Sequence, residues 1–396
     1  MTAAPLSGLR IIAVEQYGAG PYGSMQLADL GAEVIKIENP AEEGDMARRV
    51  GPHFLAPNDS YFFESFNRNK RSLTLDLKKP AAREILHALA ARSDGLLDNL
   101  RGDLPAKLGL THAALRVANP AIVCAHLSAY GRDGPRASWP GYDYLMQAEA
   151  GYLSLTGEPD GPPARFGLSI VDLMSGLFAA FALVSGILEA RATGTGRDLD
   201  VNLFDAALQN LSYLATWYLH AGHVQGREPH SAHPSLVPSQ LYRTRDGYIF
   251  IMCNKEKFWP ILCERLGHPE WAVDPRFANF KDRLANRAAV NERLDDVLST
   301  RKTAEWLEHF AGAVPAAPIT DVKAALENPF VRERGRIWAY ESSKRQSVQM
   351  VPTPISWTGT APRRAAPELG ADTAAILGEC GFSEREVESF RAEGIV

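Results

Sequence analysis

Two stretches of the chain hold residues whose type and spacing could do chemistry. The first is Gly18-Ala19-Gly20-Pro21-Tyr22-Gly23, a GxGxxG run that follows the apolar segment Leu9–Val14 and opens a helical pattern through Met25, Leu27 and Leu30. Such a turn brings bare backbone N–H groups and a helix N-terminus toward a phosphate or an oxyanion, and Glu38 lies about where a dinucleotide fold keeps its ribose-binding acid. It suits any nucleotide-like ligand, so an NAD-dependent dehydrogenase and a plain structural turn both stay open on this motif. The second is Asp172, in GLSIVDLMSGLFAA at the head of a long apolar pattern. Its simplest local reading is a helix N-cap, because Asp accepts the free N–H groups of a first turn. A carboxylate at an ordinary pKa of about 3.9 is also ionised near neutral pH without a partner base, though the local sequence alone favours the cap.

Other reactive side chains form no array. Cys124, Cys253, Cys263 and Cys380 lie far apart without a CxxC pair, which argues against a zinc site and a secreted disulfide framework and for a reducing, cytoplasmic location. His220, His223, His230 and His233 sit on a proline-containing connection with no regular ligand spacing, so no metal is expected. His230 or His233 could instead meet a substrate carboxylate, or be a solvated linker histidine.

The elements that must position these residues alternate. Leu9–Val14, Glu33–Ile37, Ser72–Leu77, Gly95–Asp98, Ala121–Leu127 and LDVNL from Leu199 read as short apolar strands, with helical stretches between them such as Pro80–Ser93 and Asp172–Ala192. That order implies an α/β fold with a parallel sheet covered on both faces. Gln240–Cys253 reads as a hairpin about Arg245-Asp246-Gly247, followed by helices to about 310, a smaller α+β domain. Val351–Ser356 and the helices from Ala371 resume the first pattern. The expected division is 1–200 for the first part of the large domain, 201–225 a linker, 226–325 the small domain, and 326–396 a return linker and the rest of the large domain.

With 396 residues the chain exceeds one ordinary core, and 45% apolar with 22% charged residues is a globular composition. A net charge of -5 and a pI of about 6.1 provide no basic field for nucleic acid or an anionic membrane. No signal peptide is visible at the start. The longest apolar run, Leu173–Leu188, is broken by Ser175, Gly176 and Ser185 and reads as a buried core helix too short to span a bilayer.

The segments LSGLRIIAVEQYGAGPYGSMQLADLGAEVIKIENP, NRNKRSLTLDLK, LLDNLRGDLPAKLGL, PGYDYLMQAEAGYLSLTG and TGTGRDLDVNLFDAAL stand in an order that is highly specific. Together they resemble the class III CoA-transferase (CaiB/BaiF) family, which includes formyl-CoA transferase, and the resemblance covers almost the whole chain. It implies a ring-like subunit with a Rossmann-like large domain built from both chain ends, in an interlocked homodimer. It also implies transfer of CoA from an acyl-CoA to a free carboxylic acid, with no cofactor beyond coenzyme A as substrate.

Residue by residue, the resemblance places the nucleophile at Asp172. It places CoA contacts at Tyr17, Gly18, Ala19, Asn39, Leu75, Lys78, Asn99 and Lys107, and a substrate pocket at Gln16, Tyr142 and Asp143. Asn39 stands where relatives often have arginine, a contact that Arg48 or Arg49 could replace; the same arginines could favour a second carboxylate on the substrate. Some relatives carry a glutamine at the position of Gly18 and a glycine-rich loop from the small domain, and this sequence has neither. Oxyanion donors are then expected from the backbone near Gly18 and Ala19, with Gln16 close by. Tyr142 takes the position of a histidine in the 2-methylacyl-CoA racemases of the superfamily, and a tyrosine is a poor base near neutral pH, which favours a transferase over that alternative.

Overall fold

The computed structural model describes residues 3–342 and 346–396; Met1 and Thr2 of the expected large domain and 343–345 of the expected return segment lie outside it. Two compact units form. One comprises Met1–Ala150, Gly167–Ser212 and Arg332–Val396, the other Gly151–Phe166 and Tyr213–Val331.

The first unit is built on a six-stranded sheet: β1 (Arg10–Val14), β2 (Glu33–Glu38), β3 (Arg71–Thr74), β4 (Gly95–Asp98), β5 (Val123–Ser128) and β6 (Asp198–Asn202). Every pairing is parallel, and the spatial order is β3-β2-β1-β4-β5-β6. The near-continuous apolar runs of these strands follow from burial on both faces. Ile12, Ile35, Leu73, Leu96 and Cys124 are all 0% exposed and pack with Ile85, Leu89 and the C-terminal Ile376 and Leu377. The strand order reverses direction between β1 and β4, the switch point at which open α/β sheets bind ligands beyond their strand C-termini. The C-terminal segment closes the β3 edge: Asp372 N–H donates to the Ser72 carbonyl, and its carboxylate accepts the Ser72 N–H at 2.9 Å.

Three helices of this unit set the site: α1 (Ala19–Asp29), α2 (Asp143–Glu149) and α3 (Ile170–Thr193). Helices α1 and α3 pack with almost no side chain between them, since a Cβ on Gly23 would run into the Gly176 carbonyl and one on Gly176 into the Ala19 carbonyl. Helix α3 is 24 residues long and apolar enough to cross a membrane by length and composition alone. The buried core helix expected from sequence is buried on one face only: Val171, Gly176, Ala179 and Leu183 face the fold, while Phe181 is 73% and Leu188 66% exposed.

The second unit holds an antiparallel sheet of β7 (Ser239–Arg243), β8 (Tyr248–Met252) and β9 (Ala316–Pro318), in the order β9-β8-β7. Its own core gathers Tyr242, Ile249, Trp259, Leu262, Phe277, Leu294 and Trp306. The stretch 201–225, expected as a linker, folds as helices Leu203–Asn210 and Tyr213–Ala221. Val351–Ser356 is not a strand, because Pro352 and Pro354 offer no N–H to a ladder; the strand there is Val348–Met350, paired with Trp338–Tyr340.

Candidate active site

Two cavities open at the C-terminal ends of the strands, on either side of the switch point. The first, of about 310 Å³, is lined by Gln16 to Ala19 after β1, Asn99 to Arg101 after β4, Leu127 to Ala129 at the end of β5, and Trp139 to Tyr142 with Asp172. The second, of about 290 Å³, is lined by Asn39 and Asp45 after β2, Leu75 to Lys78 after β3, and Leu104 and Leu108. Gln16, Leu100 and Leu104 border both cavities.

Asp172 stands in the first turn of α3 and is 9% exposed. It does not cap the helix as its local sequence suggests: the N-cap is Ser169, and the Asp172 N–H is itself capped by the Asp143 carboxylate at 2.9 Å. Asp143 lies at the start of α2, 4% exposed, with its other oxygen accepting from Gln147 Nε2 at 2.6 Å. It therefore sits behind Asp172 and not on the cavity wall, contrary to its expected place in the substrate pocket. Burial, and then the Asp143 charge, push the Asp172 carboxyl up to about 7. That corrects the expectation of an ordinary, fully ionised aspartate at neutral pH. Among the described residues no cation pairs with it, so helix α3 alone does not offset the cost of burying its charge.

Gly18 explains itself by contact. A Cβ at this position would lie 2.9 Å from Asp172 Oδ2, so a side chain here would have to push the carboxylate from its present place. The close crossing of α1 and α3 at Gly23 and Gly176 brings the two together, because Asp172 is one helical turn before Gly176. All three glycines of the GxGxxG run thus meet crowding from this chain: Gly18 from Asp172, Gly20 from Asn99, whose Cβ would be 2.8 Å away, and Gly23 from α3. The turn remains suited to an anion, since the first N–H groups of α1 have no intrahelical partners.

Of the expected site residues, Gln16, Tyr17, Gly18, Ala19, Asn99, Tyr142 and Asp172 meet around the first cavity, and Asn39, Leu75 and Lys78 around the second. Lys107 lines neither and pairs with Asp103 at 2.6 Å. Asn39 caps the short turn Pro40–Glu42 through the Ala41 N–H. Arg48 cannot stand in for a missing phosphate contact: it is 3% exposed, joined to both oxygens of Glu38 and to the Pro367 carbonyl. Arg49 is taken by Glu43. In the second unit, His233 Nδ1 accepts the N–H groups of Ser235 and Leu236 at 3.1 Å, and burial lowers its pKa; His230 bonds through its backbone to Glu158. The His233 bonds are local turn geometry, whereas the His230 bond ties together segments 72 residues apart. Among the described residues, no cluster of three or more His, Cys, Asp or Glu side chains is arranged to hold a metal.

Sequence reasoning missed Arg101, Trp139 and Met46 on the first cavity wall. Arg101 is two residues after Asn99 and could have been found from that adjacency. Met46 and Trp139 come from loops with no periodic pattern.

Against known proteins, residues 6–373 match the family described as CoA-transferase family III. The chain belongs to CoA-transferase family III. A succinate–glutarate CoA-transferase of Agrobacterium fabrum is 34% identical over 402 residues, covering 96% of this chain and 97% of that protein. An acetyl-CoA:oxalate CoA-transferase of Acetobacter aceti is also 34% identical, over 386 residues, with 96% and 97% covered. A CaiB/BaiF family crystal structure from Brucella suis superposes with a TM-score of 0.82 at 33% identity, over 96% of this chain and 100% of that one. The six-stranded parallel sheet described above is therefore that of a family III chain.

Proposed function

We propose that this family III chain transfers CoA from an acyl-CoA to a free carboxylic acid through covalent chemistry on Asp172. The observation that carries the reading is the buried Asp172 carboxylate set on a cavity wall against the side-chain-free backbone of Gly18, at the switch point of the sheet. Asp172 attacks the thioester carbonyl, forming a mixed anhydride and expelling CoA thiolate. The thiolate attacks the aspartyl carbonyl of the anhydride, which releases the first acid as its carboxylate and leaves an aspartyl-CoA thioester. The incoming carboxylate attacks that thioester and frees the thiolate again. Attack of the thiolate on the new acyl carbonyl yields the product acyl-CoA and restores Asp172. Each tetrahedral intermediate carries an oxyanion, for which the backbone amides of Gly18 and Ala19, on the same cavity wall as Asp172, are the donors we assign.

The first cavity takes the acyl group and the second the nucleotide end of CoA, beside Lys78 and Asn39. Relatives named for succinate, glutarate and oxalate support dicarboxylic acids as the exchanged substrates, and Arg101 supplies a cation on the cavity wall. We read the chain as a homodimer, the interlocked form the family resemblance implies; the exposed apolar face of α3 at Phe181 and Leu188 supports a partner copy. Four free cysteines, three of them buried, support a reducing cytoplasm. The test is a mass-spectrometric screen of acyl-CoA donors against free acids, run beside Asp172→Ala. New acyl-CoA products that vanish in the variant are expected; products that persist would remove Asp172 from the reaction.

A further inference from the structure

Between β1 and α1 the chain makes a turn that nothing local would favour. Tyr17 has φ +68, a left-handed conformation that costs a non-glycine residue about 1–3 kcal/mol and persists only when its surroundings impose it. Two side chains distant in sequence impose it here. Asn99, just past β4, grips Gln16 at both ends: its Oδ1 accepts the Gln16 N–H at 2.8 Å and its Nδ2 donates to the Gln16 carbonyl at 2.8 Å. Asp45, past β2, accepts the next amide, Tyr17 N–H, at 3.1 Å through Oδ1. Its Oδ2 lies 2.9 Å from Lys36 Nζ, and both of those side chains are 0% exposed. Lys36 in turn donates to the Glu15 carbonyl at 2.8 Å, so the residue before the turn is fixed as well. The residue after it, Gly18, is the one whose backbone abuts Asp172.

We propose that Asn99 and Asp45 are positioning residues for the transfer reaction, clamping Gln16 and Tyr17 in the strained turn that holds the Gly18 backbone against Asp172. The inference rests on Asp172 being the nucleophile. Physically, without the clamp Tyr17 relaxes toward negative φ and carries Gly18 and the start of α1 away from the carboxylate. Asn99 spends one hydrogen bond at each end of its amide on Gln16, which gives it a scaffold role whether or not it also touches CoA from the cavity wall. The clamp also spans the switch point itself, tying the chain after β1 to the chain after β4.

The test is steady-state kinetics and thermal unfolding of Asn99→Ala and Asp45→Asn beside wild type and Asp172→Ala, with a donor and acceptor pair that wild type turns over. In Asn99→Ala, kcat falls about 100-fold, the loss that a displacement of about 1 Å in reacting groups brings, while KM for the acyl-CoA stays within about threefold and Tm stays near wild type. Asp45→Asn lowers the same parameter. A raised KM with kcat held would make Asn99 a CoA contact and overturn the proposal. So would a loss of kcat matched by an equal loss of folded protein in Asn99→Ala. If Asp172→Ala still transfers CoA, the nucleophile assignment falls and the clamp's function with it. If Asp172→Ala is inactive and Asn99→Ala fully active, the clamp alone is refuted.

Discussion

Charged groups are buried on both sides of the Tyr17 turn, and the two sides are treated in opposite ways. On the β1–β2 side, Lys70 meets Glu15 at 2.7 Å, Lys36 meets Asp45 at 2.9 Å and Arg48 meets Glu38 at 2.6 Å, all with side chains at most 3% exposed. Burial alone would lower the Lys36 pKa, yet the carboxylates of Asp45, Glu15 and Glu38 leave it raised; Asp45 is correspondingly lowered, burial notwithstanding. On the α3 side, Asp172 is nearly as buried, but its charged neighbour is another carboxylate, and its pKa rises to about 7. Compensated charges hold the scaffold. Compensation is not complete there, since burial still lowers the Lys70 pKa to about 8, but Asp172 differs in having a carboxylate and not a cation as its charged neighbour. On the proposed reading that suits it to the chemistry, since a carboxylate kept short of stabilising partners is a better nucleophile and a costlier ground state.

Removing a charge should therefore have opposite signs in the two regions. Lys36→Met strands buried carboxylates and should destabilise by about 3–5 kcal/mol, read from the urea midpoint; an unchanged midpoint would show that the cluster does not hold the fold. Asp172→Asn should instead stabilise the free enzyme at pH 8 by up to about 4 kcal/mol. The sign follows from a folded pKa above the unfolded one for an acid. The folded state binds the extra proton between about pH 4 and 7, so wild type loses stability as pH rises through that window, and the variant's gain is absent below it and complete above it. A variant less stable than wild type at pH 8 would mean that Asp172 is compensated after all.

Gly18→Ala should lower kcat by about 100-fold with the fold intact, since its Cβ must displace the Asp172 carboxylate; unchanged kcat would mean the contact is incidental. The smallest effect is expected from Asp143→Asn. Activity of wild type should rise with pH to a plateau above about 7, as Asp172 ionises, and this variant should shift that limb to lower pH because one of the two causes of the raised pKa is gone. A limb that does not move would assign the shift to burial alone.

Much of this was legible in the sequence, for a physical reason. The six strands are short apolar runs whose pattern is set by burial on two faces, and each appears within a few residues of its expected place, as does the long helix that starts just before Asp172. Nonlocal side-chain pairing left no such trace. Arg48 and Arg49 look alike in sequence, yet one is buried on Glu38 and the other is a surface partner of Glu43. Asp143 is 29 residues before Asp172, and only the meeting of α2 with α3 makes it the cap of that helix. The left-handed Tyr17 is imposed by Asn99 and Asp45, and no propensity of tyrosine announces it.

The most direct measurement is to incubate the protein with a turned-over acyl-CoA, trap the acylated enzyme with hydroxylamine, and map the modified peptide by mass spectrometry. A hydroxamate on Asp172, absent without acyl-CoA, is the predicted result. A trapped adduct on any other side chain, or steady CoA transfer with Asp172 never modified, would contradict the assignment of this buried, uncompensated carboxylate as the nucleophile.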